Sequence, residues 1–173
     1  MHTLIVGERH IGKSTLIRRV LNELKVSVCG FETKKEEHLE DPVYGNPIYI
    51  YEPGQPHYQT EENLIGYCKQ QCPKPNKEVF EQFAGKFNDF PDGKDMILMD
   101  EIGFLETCSG NFCRGILSVL DGDTPVIAAV KDKDTPFLDS VRSHKNCRCF
   151  YITKENRDEL AEEVLAFVRQ QLV

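Results

Sequence analysis

One nine-residue stretch near the amino end constrains this chain more than any other: Gly7-Glu8-Arg9-His10-Ile11-Gly12-Lys13-Ser14-Thr15. It fits the phosphate-binding pattern G-x-x-x-x-G-K-[ST], and it does so in the required place, directly after an apolar run at 3–6 and opening an amphipathic one. The two glycines let the backbone curl until successive N–H groups point inward at phosphate oxygens, and the helix that follows adds the partial positive charge of its amino end. In such a loop Lys13 reaches the terminal phosphates and the Ser14 hydroxyl is a ligand for Mg2+. The alternative is a glycine-rich turn with a solvated lysine, and the flanking strand and helix patterns weigh against it.

A phosphate loop needs a parallel sheet behind it, and the periodicity supplies one. Short β-rich runs at 3–6, 26–31, 96–100, 126–130 and 148–152 alternate with amphipathic stretches. Leu16, Ile17, Val20, Leu21 and Leu24 share one helical face, as do Val79, Phe80, Phe83 and Phe87. Phe112, Ile116, Val119 and Leu120 form a third set, and Leu160, Val164, Phe167, Val168 and Leu172 a fourth. The expected fold class is therefore α/β, a mainly parallel central sheet flanked by helices on both faces. The phenylalanines at 80, 83, 87 and 90 read as core rather than as a base-stacking platform.

Residues 41–59 interrupt the alternation. Asp41-Pro42, Gly45-Asn46-Pro47 and Pro53-Gly54 punctuate a Tyr/Ile-rich run at 48–51, the pattern of a hairpin or edge strand, and 60–78 reads as a short helix followed by a loop. With 173 residues, no internal repeat and no long linker, the chain is expected to form one domain, 1–173, carrying an insertion or flap at about 35–75.

The second chemical signal is Asp95-Met96-Ile97-Leu98-Met99-Asp100-Glu101, an apolar strand ending in two carboxylates. Beside a phosphate loop, Asp100 is the expected holder of Mg2+ or of one of its waters. Glu101 is placed to orient and deprotonate an attacking water, work that needs a carboxylate within one hydrogen bond of the nucleophile. Lys13 and Glu101 are thus the candidate catalytic residues, Gly7 to Thr15 the nucleotide-binding ones, and Ser14 and Asp100 the metal ligands.

Charge bounds the partners. Twenty-one basic against twenty-eight acidic residues give a net charge of −7, with a pI near 5.3, which argues against a nucleic-acid polyanion and leaves an anionic ligand to a local site. No run approaches the roughly 18 consecutive apolar residues that span a bilayer, and Met1 leads into a short apolar run rather than a signal, so no membrane partner and a cytoplasmic location are expected. Seven cysteines, in spacings unlike paired zinc-ligand sets, read as reduced thiols.

Several blocks in order now carry a resemblance: the phosphate loop, Cys29-Gly30-Phe31-Glu32-Thr33, Leu98-Met99-Asp100-Glu101-Ile102-Gly103-Phe104-Leu105-Glu106, Pro125-Val126-Ile127-Ala128 and Thr153-Lys154-Glu155-Asn156-Arg157-Asp158. Together they cover most of the chain outside 35–90, and on them the sequence resembles the cancer-related nucleoside-triphosphatase family, small phosphate-loop proteins also described as nucleotide-kinase-like. The resemblance implies a RecA-like parallel sheet and magnesium-dependent hydrolysis of ATP, GTP and related triphosphates with loose base selectivity. The chain departs from the family inside the loop, where Glu8-Arg9-His10 replaces small residues and proline.

Glu32 and Thr33 end a strand at the edge where such sheets bind ligands, and are candidates for contact with a metal-bound water or an acceptor; a solvated strand end is the alternative. Thr153, Asn156 and Arg157 follow the last strand and are candidates for contact with the base or ribose; the favoured alternative is that Thr153 or Asn156 caps the final helix. Arg9, Arg114, Arg142 and Arg157 are candidates for stabilising the transferring phosphoryl group, and His10 reads as a loop-surface side chain. Hydrolysis of nucleoside triphosphates is the leading expectation. A small-molecule or nucleotide kinase using the same phosphate site, with its acceptor under the flap, is an alternative, as is a nucleotide-binding switch with little turnover.

Overall fold

The computed structural model describes residues 1–70 and 72–172. Eight strands form one sheet: β1 (His2–Gly7), β2 (Val28–Lys35), β3 (Asn46–Tyr51), β4 (Leu64–Lys69), β5 (Cys72–Pro75), β6 (Met96–Ile102), β7 (Val126–Lys131) and β8 (Cys147–Tyr151). Their spatial order is β5-β4-β3-β2-β6-β7-β1-β8. Five strands, β2, β6, β7, β1 and β8, run parallel, and β3, β4 and β5 continue the sheet antiparallel beyond β2. The helices are α1 (Lys13–Leu24), α2 (Lys77–Ala84), α3 (Gly110–Asp121), α4 (Pro136–Arg142) and α5 (Arg157–Gln171). Among the described residues no helix is long and apolar enough to cross a membrane.

Period-two alternation sends each parallel strand into two cores. Leu4, Val6, Ile97, Met99, Ala128 and Val130 face α2, α3 and α4, whereas Ile5, Met96, Leu98, Ile127 and Ala129 face α1 and α5. The first core is aromatic. Phe112 lies 4.9 Å from Phe80 and 5.0 Å from Phe87, edge to face, and Phe31 meets Phe83 at 5.8 Å, so the phenylalanine set is core.

Two segments differ from what the sequence suggests. Residues 60–70 and 72–78 form a 3-10 turn, Glu61–Asn63, then β4, β5 and the start of α2, rather than a short helix and a loop. The expected insertion is continuous with the central sheet, and its outermost strand carries Pro73 and Pro75, which blunt an otherwise open edge. Helix α4 has no counterpart in the sequence reading, because seven residues are too few to show a 3.6-residue period. Local chemistry makes it instead: Thr135 accepts the Leu138 N–H at 3.2 Å and Pro136 occupies the first turn.

Gly30 is the tightest point of the sheet. It adopts φ 115° beside Leu98 of β6, and a Cβ there would lie far inside the van der Waals contact distance to the Leu98 carbonyl oxygen. Gly30→Ala is expected to lower folding stability by about 2–4 kcal/mol through backbone strain and overpacking, read as a lower urea midpoint with an unchanged slope.

Candidate active site

The phosphate loop leaves β1 at Gly7, between the carboxyl ends of β7 and β8, and enters α1 at Lys13. Among the described residues no side chain caps α1, and no carboxylate stands in its first turn. Its first amides are therefore available to an anion. Eight of the nine loop residues line a cavity of about 700 Å³. The ninth, Ile11, is half-buried and packs against the core that α1 and α5 cover.

Lys13 is buried, 3% exposed. Its ammonium donates to the carbonyls of Gly7 at 2.9 Å and Glu8 at 2.6 Å and pairs with Glu101 Oε2 at 3.0 Å. The Ser14 hydroxyl donates to Asp100 Oδ1 at 2.8 Å. The two residues expected to share a metal thus meet across 86 positions of sequence. Both Asp100 and Glu101 come from the end of β6, where the pairing with β7 steps from Asp100 to Ile102 and leaves Glu101 as a bulge. A bulge re-aims a side chain, and the Glu101 carboxylate faces the cavity with its backbone N–H held by Thr33 Oγ1 at 3.2 Å. The Asp100–Glu101 peptide is cis.

Burial pushes the Asp100 carboxyl up to about 6; the Ser14 hydrogen bond opposes the shift, and the Glu101 and Glu32 carboxylates add to it. A hydroxyl and a carboxylate side by side are hard oxygen donors of the kind Mg2+ prefers. Among the described residues no three His, Cys, Asp or Glu side chains converge to hold a metal by themselves. The donor set fits an ion that arrives with phosphate oxygens and keeps several waters.

Other residues are sorted by the fold. Thr33 lines the cavity, while Glu32 stands 3.8 Å from His57 Nε2, whose ring stacks on Tyr51 at 4.0 Å. Thr153 and Asn156 exchange hydrogen bonds at 2.8 and 3.3 Å, building the turn before α5, and with Arg157 they lie outside the cavity lining. Arg114 bonds Asn111 on its own helix. Arg142 is occupied by the turn after β7, donating to the carbonyls of Lys131 at 3.2 Å and Lys133 at 2.9 Å. Arg9 and His10 line the cavity, His10 in the left-handed region at φ 61°.

Sequence reasoning overlooked Lys131 and Glu106. Lys131 Nζ lies 3.3 Å from Glu101 Oε1, so two ammonium groups flank one carboxylate. Glu106 is buried in the cavity wall and accepts the Gly103 N–H at 3.0 Å. Burial pushes its carboxyl up to about 7, with Lys131 opposing and Glu101 reinforcing the shift. A carboxyl raised on folding binds its proton more tightly in the native state, so native stability falls as pH rises from the unfolded value near 4.5 through 7. Glu106→Gln, which keeps an acceptor for Gly103, is expected to melt progressively above the wild-type chain as pH climbs across that window and to match it below pH 4.5.

The open sheet, the loop after its first strand and the carboxylate-tipped strand one place removed define a phosphate-loop nucleotide-binding protein. A family model described as NTPase matches residues 2–165, and the chain belongs to that family. It is accordingly an enzyme of the nucleoside-triphosphatase class. It is 33% identical over 174 residues to nucleoside-triphosphatase THEP1 of Thermotoga petrophila, covering 95% of this chain and 91% of that protein. It is also 26% identical to the cancer-related nucleoside-triphosphatase homolog of Bos taurus, over 97% and 96% of the two chains. In fold it matches the solution structure of a human cancer-related nucleoside triphosphatase, with a TM-score of 0.68 at 21% identity, covering 98% of this chain and 97% of that one.

Proposed function

We propose that this protein hydrolyses nucleoside 5'-triphosphates, ATP and GTP among them, to diphosphate and phosphate in the presence of Mg2+. One observation carries the reading. The phosphate loop and the Asp100–Glu101 pair close on one cavity, with Ser14 Oγ 2.8 Å from Asp100 and Lys13 Nζ 3.0 Å from Glu101. The loop amides and Lys13 bind the β- and γ-phosphates, Lys13 exchanging the Gly7 and Glu8 carbonyls and Glu101 for phosphate oxygens. Ser14 and Asp100 hold Mg2+, which supplies charge neutralisation at the phosphate oxygens. Glu101, freed from Lys13, accepts a proton from water as the water oxygen attacks the γ-phosphorus. The bond to the bridging oxygen breaks and its electron pair leaves with the diphosphate.

A second reading, transfer to a small acceptor, draws on the extent of the cavity, which runs past the loop to Ile48, Ile65, Cys68 and Pro73 of the antiparallel strands. Phosphate release from ATP, GTP, CTP and UTP by the purified chain, with Mg2+ and with EDTA, separates the possibilities. Hydrolysis predicts release from all four that EDTA abolishes. Triphosphate binding without release overturns it, and favours the acceptor reading if an added hydroxyl compound restores consumption.

A further inference from the structure

We propose that Lys131 is a second catalytic cation, whose ammonium contacts the γ-phosphoryl oxygens in the transition state. The inference rests on the hydrolytic reading of the site and adds a residue to it. Many phosphate-loop enzymes take such a cation from an arginine reached in by another chain; here the chain carries its own.

Four observations place it. Lys131 ends β7 in register with Gly7, the first residue of the phosphate loop, and the next residue, Asp132, donates its N–H to the Gly7 carbonyl at 3.2 Å. The backbone that carries the ammonium is thereby tied to the loop that carries the phosphates. The ammonium reaches Glu101 Oε1 at 3.3 Å while Lys13 holds Oε2 at 3.0 Å. Phe104 offers its ring face to Lys131 Nζ at 4.9 Å, and Gly103 leaves the room: a Cβ there would stand 3.2 Å from Lys131 Cδ and 3.4 Å from Nζ. The turn beyond is braced by Arg142, which binds the Lys131 and Lys133 carbonyls and pairs with Asp132 at 4.0 Å, Asp134 at 3.8 Å and Asp139.

Lys13 and Lys131 share the single carboxylate of Glu101, one on each oxygen, and a triphosphate offers the two ammonium groups more acceptor charge than Glu101 alone. Its entry draws Lys13 onto phosphate oxygens and releases Glu101 toward water, and Lys131 closes on the γ-phosphoryl oxygens as the transition state forms. As the water oxygen bonds to the γ-phosphorus and the bridging bond breaks, negative charge grows on the diphosphate; Lys13 and Lys131 keep their protons and stabilise charge, while the water's proton goes to Glu101. Arg142 acts only through the turn and is a positioning residue.

The test compares Lys131→Met and Lys131→Arg with the wild-type chain in kcat and KM for ATP, and in affinity for MgADP with and without aluminium fluoride, which mimics the transferring phosphoryl group. Lys131→Met is expected to lose roughly 10²–10³-fold in kcat and in aluminium fluoride capture, with KM and MgADP affinity within about threefold of wild type. Lys131→Arg is expected to recover at least a tenth of the rate. A kcat for Lys131→Met within about threefold of wild type, a parallel loss of MgADP affinity, or no recovery with arginine would overturn the proposal. If Lys131→Met does not fold, Lys131→Gln, which keeps a polar side chain and loses the charge, is read in its place with the same expected loss, and a rate within about threefold of wild type counts against Lys131. Should the wild-type chain release no phosphate, hydrolysis alone fails, and fluoride capture judges Lys131: loss in Lys131→Met supports the role and retention rejects it.

Discussion

Glu101→Gln is expected to reduce kcat for phosphate release by about 10²–10⁴-fold, with triphosphate bound at least as tightly as by the wild-type chain. The amide keeps the shape of the side chain and loses the ability to take a proton from water. The effect on binding has the opposite sign. In the free protein the Glu101 carboxylate holds Lys13 at 3.0 Å and Lys131 at 3.3 Å, and substrate must break both pairs to engage the lysines. Glutamine weakens those pairs, so the cost of entry falls. Equilibrium binding of ATP beside single-turnover hydrolysis separates the two effects. Tighter binding with an unchanged rate would make Glu101 a holder of the lysines and nothing more.

Lys13→Ala is expected to act on binding and chemistry together. Hydrogen bonds to charged groups are worth about 1.5–3 kcal/mol each, so loss of the ammonium should weaken triphosphate binding by roughly 10–200-fold. A further drop in kcat should follow from the missing charge at the γ-phosphate. Its environment makes the substitution costly for another reason. Lys13 is 3% exposed and is the donor to the Gly7 and Glu8 carbonyls, so alanine takes a charged donor from both and leaves Glu101 with Lys131. Thermal midpoints with and without Mg-nucleotide give the clean measurement, since a ligand that binds only the native state raises the midpoint in proportion to RT ln(1 + [L]/Kd). A nucleotide-induced shift in Lys13→Ala equal to that of the wild-type chain would remove Lys13 from the phosphate site.

Contiguous features were legible in the sequence, and features made by strand order were not. The loop from Gly7 to Thr15 and the pair Asp100-Glu101 each sit on neighbouring positions at the end of an apolar run, so pattern alone locates them. Lys131 also ends such a run, but its relation to Gly7 exists only because β7 lies beside β1, a pairing of residues 124 positions apart that no local period encodes. Arg142 shows the converse. As an arginine it is a natural candidate for the phosphoryl group, yet α4 turns it back onto the carbonyls of the preceding turn. Glu106 carries no sequence sign of its burial, which comes from the 3-10 turn Leu105–Cys108 folding against the cavity wall. Residues 60–78 misled for a physical reason: Cys72-Pro73-Lys74-Pro75 reads as a loop, because proline removes donors that an interior strand needs and an edge strand does not.

The strand order has a further consequence. β7 separates the strand that bears the phosphate loop from the one that bears Asp100 and Glu101, so β7 works as a gauge block between the two halves of the site. With neighbouring strands about 4.8 Å apart, the backbones of β1 and β6 stand roughly 10 Å from each other. Side chains cross that span to hydrogen-bonding distance, with Ser14 Oγ 2.8 Å from Asp100 and Lys13 Nζ 3.0 Å from Glu101. The span those side chains have to bridge is a property of the backbone ladder, with the same strand setting it and presenting Lys131 at its rim.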